Sequence, residues 1–191
     1  MRRCGWVSAD PLYEAYHDVE WGVPERDGRR LFEVLSLEGM QAGLSWLTIL
    51  RKREGFRAAF AGFDPDVIAD WGDGDVARLL GDAGIVRHRG KIEAVLGNAR
   101  AWLALGGATP FADLVWGFVD QRPVQERRAT LAEVPASTPV STAMSKRLKA
   151  EGFRFCGPTT CYAFMQAAGL VNDHVLDCDR HGAVAALSGE T

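Results

Sequence analysis

The sequence predicts an all-α protein. Three observations lead there: proline-led helix starts recur, apolar residues return at spacings of three and four, and no alternating run of β-branched residues exceeds a few positions. Asp10-Pro11 places a carboxylate at an N-cap and a proline in the first turn, so a helix begins there. Arg30 to Leu37 follows, with Leu31, Val34 and Leu35 as its apolar stripe, and then Trp46 to Phe60. Asp64-Pro65 repeats the opening signal. Val76 to Gly81, Lys91 to Leu105, Phe111 to Val119, Ser141 to Glu151 and Thr159 to Ala168 read as further helices, separated by Gly, Pro or Asp. Gly106-Gly107 and the segment from Gln121 to Pro139 read as loops, and no repeat or low-complexity tract interrupts the chain.

The 191 residues suffice for a sizeable core, and a single globular unit of two packed helical lobes over residues 1–191 is expected. No run of about eighteen apolar residues exists, so no membrane partner is expected. The net charge of -3 carries no bulk signal for nucleic acid, so any DNA contact must come from local patches. Three are present: Arg51, Lys52 and Arg53; Arg87, His88, Arg89 and Lys91; and Lys146, Arg147, Lys149 and Arg154. Each competes with the plainer reading of a solvated helix face.

Cys4, His17, His174 and Cys178 offer four soft ligands for one tetrahedral metal, for which zinc is the natural guest. His174 and Cys178 stand four apart, on one helical face if that segment is helical, and the chain between Cys4 and His17 must turn back. His181 is a possible substitute ligand. Cys156 and Cys161 lie in the apolar context FRFCGPTTCYAF and read as small buried hydrophobes. A disulfide is the rival for the outer pair. No basic stretch followed by an apolar core opens the chain, so the thiols are expected to stay reduced in a cytoplasm.

The first 46 residues are dense in amphipathic aromatics: Trp6, Tyr13, Tyr16, Trp21 and Trp46. Any one of them suits a core. Extending the stripe Leu31, Val34, Leu35 by helical spacing lands on Glu38, which therefore points inward and needs a metal, a cation or a ligand donor. A kink at Gly39 would instead turn it to water. Farther on, LKAEGFRFCGPTTCYAFMQAAG from Leu148 reads as helix, tight turn over Gly152 to Gly157, and a helix opening at Pro158 with uncapped amides. This is a helix-hairpin-helix over about residues 141–169, whose amides at Gly157 and Thr159 suit a phosphate. The same shape is also a generic packing device.

Four blocks carry a resemblance: CGWVSADPLYEAYHDVEWGVP from Cys4, LEGMQAGLSWLTIL from Leu37, GIVRHRGKI from Gly84 and GLVNDHV from Gly169. Together they are similar to the bacterial 3-methyladenine DNA glycosylase I family over nearly the whole chain, up to about Cys178. The resemblance implies a helix-hairpin-helix glycosylase fold and a structural zinc that clips the terminal segments together at Cys4, His17, His174 and Cys178. It also implies a base pocket at Tyr16, Glu38 and Trp46, with Trp6, Tyr13 and Trp21 nearby, and a plug at Gln41, Gly43 and Leu44 that fills the gap left by a flipped nucleotide. Leu44 as ordinary core is the competing reading. Residues from Asp179 onward follow no usable pattern.

Such a protein is expected to act as a monomer on double-stranded DNA containing alkylated adenine and to leave free 3-methyladenine as product. Alkylation at N3 makes the base cationic and a good leaving group, so extraction from the duplex and retention are the main tasks. Trp46 would stack on the ring, worth roughly 1 to 3 kcal/mol. Glu38 and the Tyr16 hydroxyl would contact its edge, and an oxygen in place of the amine would be repelled by Glu38. Bifunctional relatives of this hairpin place a lysine nucleophile where Thr159 stands, so no Schiff base is expected. Many place a catalytic Asp two residues before the His that aligns with His174. That place is Asn172, and whether the adjacent Asp173 substitutes stays open.

Two other classes compete. A zinc hydrolase or nucleobase deaminase needs an open metal position and an H-x-E context, neither of which is evident. A non-enzymatic DNA-binding module would lack the Glu38, Tyr16 and Trp46 set.

Overall fold

A computed structural model describes residues 1–187. It is mostly helical. The helices are α1 (Pro11–Val19), α2 (Gly28–Gln41), α3 (Trp46–Ala59), α4 (Pro65–Ile68), α5 (Asp73–Gly81), α6 (Arg89–Ala104), α7 (Ala108–Trp116), α8 (Pro139–Ala150), α9 (Pro158–Ala167) and α10 (Asp179–Leu187). Both Asp-Pro starts behave as their chemistry dictates: the Asp10 carboxylate accepts from the Leu12 amide and that of Asp64 from the Asp66 amide. Thr138 and Ser141 form a reciprocal cap, which starts α8 two residues before the predicted Ser141. Asp27 likewise caps α2 and carries it back to Gly28.

Two elements depart from the sequence reading. Within the segment expected as loop, β1 (Val124–Gln125) pairs in parallel with β2 (Val171–Asn172), and a 3-10 turn covers Leu131–Glu133. The tail that showed no usable pattern forms α10, tied back by Asn172 Nδ2 donating to the His181 carbonyl at 3.0 Å. Residues 188–191, included in the expected single unit, lie outside the described residues.

α2 is the hub, packing against α3, α6, α7 and α9, while α8 and α9 pack on each other as a hairpin. Close approaches at two glycines set this geometry. A Cβ on Gly28 would lie 2.1 Å from the Ala108 carbonyl oxygen, and Gly169, at φ +70°, would put one 2.3 Å from the Val23 carbonyl carbon. The apolar residues form one large core around Phe32, Phe56, Phe111 and Phe164 and a smaller cluster around Cys4, Tyr16, Trp21 and Cys178. Trp46 packs against both. No single helix among the described residues is long and apolar enough to cross a membrane.

Candidate base pocket and metal centre

The four predicted metal ligands converge. The ligand atoms of Cys4, His17, His174 and Cys178 all lie within 4.8 Å of one another, and all four residues are buried. Cys178 Sγ is 3.4 Å from His17 Nε2 and 3.5 Å from His174 Nδ1, and Cys4 Sγ is 3.5 Å from His174 Nδ1. Metal bonds of 2.0 to 2.3 Å at tetrahedral angles give ligand separations of about 3.5 Å, so the spacing fits an ion. The outer contacts select the matching tautomers. His17 Nδ1 donates to Asp18 at 2.8 Å and His174 Nε2 donates to the Trp21 carbonyl at 3.1 Å, leaving the other nitrogen of each ring toward the sulfurs. Arg3 holds Asp18 in turn and pulls its carboxyl down to about 2. Burial pushes the Cys4 thiol up to about 12 and the His174 imidazole down to about 4, so a bound cation must displace the thiol proton but meets a neutral ring. All four cysteines are free thiols, and His181 sits apart with Nε2 donating to the Glu126 carbonyl at 2.9 Å.

Beside this centre lies a cavity of about 390 Å³. Its lining brings together Trp6 from the N-terminal segment, Tyr13 and Tyr16 of α1, Trp21 just after it, Glu38 and Gln41 of α2, and Trp46 of α3. Two walls are shared with the metal centre. The Trp21 ring meets the His174 ring edge-on at 4.6 Å, and Trp6 meets His17 at 5.3 Å while touching Trp21 and Tyr13 at 5.0 Å. Anything that orders the four ligands therefore braces the pocket. The rings of Tyr16 and Trp46, both in the lining, are in tilted contact with centroids 5.5 Å apart.

Glu38 is 5% exposed, so the stripe extrapolation holds and the alternative of a kink at Gly39 does not: α2 continues to Gln41. No side chain or backbone group among the described residues hydrogen-bonds its carboxyl. Burial alone raises it to about 8, which leaves it protonated in the empty protein at neutral pH. Trp46 Nε1 is also buried without a partner, and burial together with nearby Glu38 keeps the Tyr16 hydroxyl well above its usual range. A cavity walled by aromatics with an unpaired carboxyl inside is suited to a flat cationic ligand.

At the pocket rim, Gln41 Nε2 donates to the Leu44 carbonyl at 2.7 Å, Gly43 has φ +80°, and Leu44 is 39% exposed. Leu44 thus stands on a turn tip and not in the core. In the hairpin, Asn98 grips Arg154 through both its amide and its carbonyl at 2.8 and 3.1 Å, and Gly157 caps α9 without a side-chain bond.

The basic patches change character. Lys91, grouped with possible phosphate contacts, is 7% exposed and donates to the carbonyls of Met40 and Ala42 at 2.8 and 2.6 Å, closing the C-terminus of α2. Arg51 pairs with Asp10, Arg53 with Glu20, Arg89 with Glu93 and Arg147 with Glu151. The cavity also has a side that the sequence reading missed: Leu131 and Val134 from the 121–139 segment, Ala163 and Gln166 from α9, and Asp173. Only Asp173 had been singled out. Gln166 lies four residues after Tyr162, a spacing that places both on one face of α9 toward Asp173, and this was the one available sequence signal.

The sequence pattern described as methyladenine glycosylase matches residues 6–181. DNA-3-methyladenine glycosylase 1 of Escherichia coli strain K12 is 59% identical over 179 residues, covering 93% of this chain and 96% of that protein. A crystal structure of 3-methyladenine DNA glycosylase I aligns with a TM-score of 0.91 at 58% identity, covering 93% of this chain and 98% of that one. A structure of the Staphylococcus aureus 3-methyladenine DNA glycosylase I, described as the basis of its 3-methyladenine recognition, aligns with a TM-score of 0.88 at 38% identity over 93% and 95% of the two chains.

Proposed function

The chain belongs to the methyladenine glycosylase family, and from that premise we propose that it hydrolytically releases 3-methyladenine from alkylated duplex DNA without a lyase step. The observation that carries this reading is Glu38, a buried carboxyl with no hydrogen-bond partner among the described residues, set among Tyr16 and Trp46 in the aromatic cavity. In the empty site the carboxyl is neutral, with its proton held up to about pH 8. An incoming cationic ring supplies the charge that favours its ionisation, so the pocket gains an ion pair with 3-alkylated adenine that a neutral purine does not provide. Trp46 stacks on the ring, and the Tyr16 hydroxyl completes the edge contacts.

Reaching this cavity requires the nucleotide to leave the stack. The exposed Leu44, with Gln41 and Gly43 shaping its turn, fills the vacated space in the duplex. The amides at Gly157 and Thr159, which open the hairpin's second helix without a side-chain cap, hold a backbone phosphate of the strand. These are the roles proposed for a helix-hairpin-helix over residues 141–169. Thr159 offers no amine, so the sugar is attacked by water and an intact abasic site remains.

We assign the Cys4, His17, His174 and Cys178 centre to structural zinc, which when bound ties the N-terminal segment to the chain after β2. Four protein donors at tetrahedral spacing leave no position for a reacting water, which argues against the hydrolase and deaminase alternatives. The deciding assay incubates the protein with methylated DNA and identifies the released base. Release of 3-methyladenine, with no adduct trapped by borohydride, is the expected result. No released base, or a trapped protein-DNA adduct, overturns the proposal.

A further inference from the structure

The missing wall of the pocket comes from the segment between α7 and α8, and one arginine holds it there. Arg128 Nε donates to Asp173 Oδ1 at 2.9 Å, its Nη1 donates to the Glu133 carbonyl at 2.9 Å, and its Nη2 lies 3.2 Å from the Glu126 carboxylate. Its own carbonyl accepts from the Leu176 amide at 2.9 Å. The turn Leu131–Glu133 is thereby fixed to the strand end that carries Asp173. The carboxylate of Glu133 closes the turn from inside, accepting from the Ala129 amide and the Thr130 hydroxyl, both at 3.1 Å. Leu131 and Val134, on either side of Glu133, project into the cavity lining. Leu131 also reaches the N-terminal segment, where a Cβ on Gly5 would stand 3.3 Å from its Cδ1.

Both oxygens of Asp173 are engaged. Oδ1 takes Arg128, and Oδ2 takes Gln166 Nε2 at 2.8 Å and the Tyr162 hydroxyl. A carboxylate engaged by three donors is a strut, and its position 1% exposed in the lining matches that role better than abstraction of a proton from water.

Resting on the base-pocket reading above, we infer that Arg128, anchored on Asp173, is a positioning residue that sets an apolar flap, Leu131 with Val134, against the bound base, and that Asp173 is not the group that activates water. Arginine is required because its planar fork bonds the carboxylate and the Glu133 carbonyl at once. A lysine preserves the charge beside Asp173 but cannot span both. The flap shares the cavity lining with Trp46, completes the enclosure of the ring and keeps solvent from the Glu38 pair.

Titration of free 3-methyladenine into wild type, Arg128→Lys, Leu131→Ala and the double variant tests this, with melting curves run on each. Arg128→Lys and Leu131→Ala should each weaken binding about tenfold, the low end of what a changed hydrophobic contact costs a pocket. The double variant should bind no worse than the weaker single, because both changes act through one flap. Wild-type affinity in Arg128→Lys reduces Arg128 to a counter-charge, and wild-type affinity in Leu131→Ala removes the flap from the pocket; either overturns the inference while the pocket reading stands. Fully multiplicative losses also overturn it. Should Arg128→Lys fail to fold, Leu131→Ala decides alone, since its side chain is already 38% exposed and its loss is tolerable to the core. If wild type itself does not bind the base, the pocket reading falls and the inference with it.

Discussion

Glu38→Gln should make the ligand-free protein progressively more stable relative to wild type as pH rises from 4 to 9, while weakening its hold on 3-methyladenine. The carboxyl rises from its ordinary 4.5 to about 8 because burial removes water and no donor among the described residues replaces it. At 1.36 kcal/mol per unit, that rise corresponds to about 5 kcal/mol between the two protonation states. The sign follows from proton binding. Between pH 4.5 and 8 the folded protein holds a proton that the unfolded chain has released, so stability falls as pH rises through that window and levels off above it. This is the reverse of an ion-paired carboxylate. Relative to the neutral Gln variant, wild type should lose nothing near pH 4, about 3 kcal/mol at pH 7 and about 5 kcal/mol by pH 9. For a chain of this length the last figure is worth about 10 to 20 °C in melting temperature. Any cost of burying the amide itself is independent of pH and moves the whole difference without altering its slope. Melting curves of both proteins from pH 4 to 9, without ligand, measure the difference directly. A constant offset across that range refutes the claim that Glu38 is buried unpaired, and a Gln variant that binds 3-methyladenine as wild type does refutes its role in recognition.

Cys4→Ser or Cys178→Ser should lower thermal stability sharply and leave residual glycosylase activity in the cold, because the centre braces Trp6 and Trp21 without touching the base; a stable, metal-free variant devoid of activity would make the metal catalytic. Trp46→Ala should weaken free 3-methyladenine by roughly 1 to 3 kcal/mol through lost stacking, followed by tryptophan fluorescence or NMR; unchanged affinity with an intact fold places the base elsewhere. Lys91→Met removes two hydrogen bonds at the end of α2 and should cost about 1 to 3 kcal/mol of stability. The salt dependence of its DNA binding should keep its slope, and a slope reduced by about one would return Lys91 to the phosphate contacts.

What was legible in the sequence is what local chemistry decides. An aspartate before a proline caps a helix wherever the helix ends up, so α1 and α4 could be placed by inspection. Glu38 shares a face with Leu31 and Leu35 through the helical period, and its burial followed from theirs. Residue type and spacing nominated Cys4, His17, His174 and Cys178, with His181 as a substitute, and the resemblance favoured Cys178. The resemblance then nominated the aromatic set that lines the cavity.

The remainder depended on partners far away in the chain. Lys91 read as part of a basic patch until the carbonyls of Met40 and Ala42 met it, and so did Arg51 and Arg53 until Asp10 and Glu20 met them. The 121–139 segment shows no helical or strand periodicity: its local turn around Glu133 is irregular, and its position is set by β2, Asp173 and Leu176, more than forty residues beyond their partners Val124 and Arg128. Asp173 was visible as a carboxylate, but only packing filled its oxygens and made it a strut. A helix is written in contacts three and four residues apart, which a sequence displays. A charge's fate and a loop's shape are set by whichever element folds against them, and that pairing exists only in the tertiary structure.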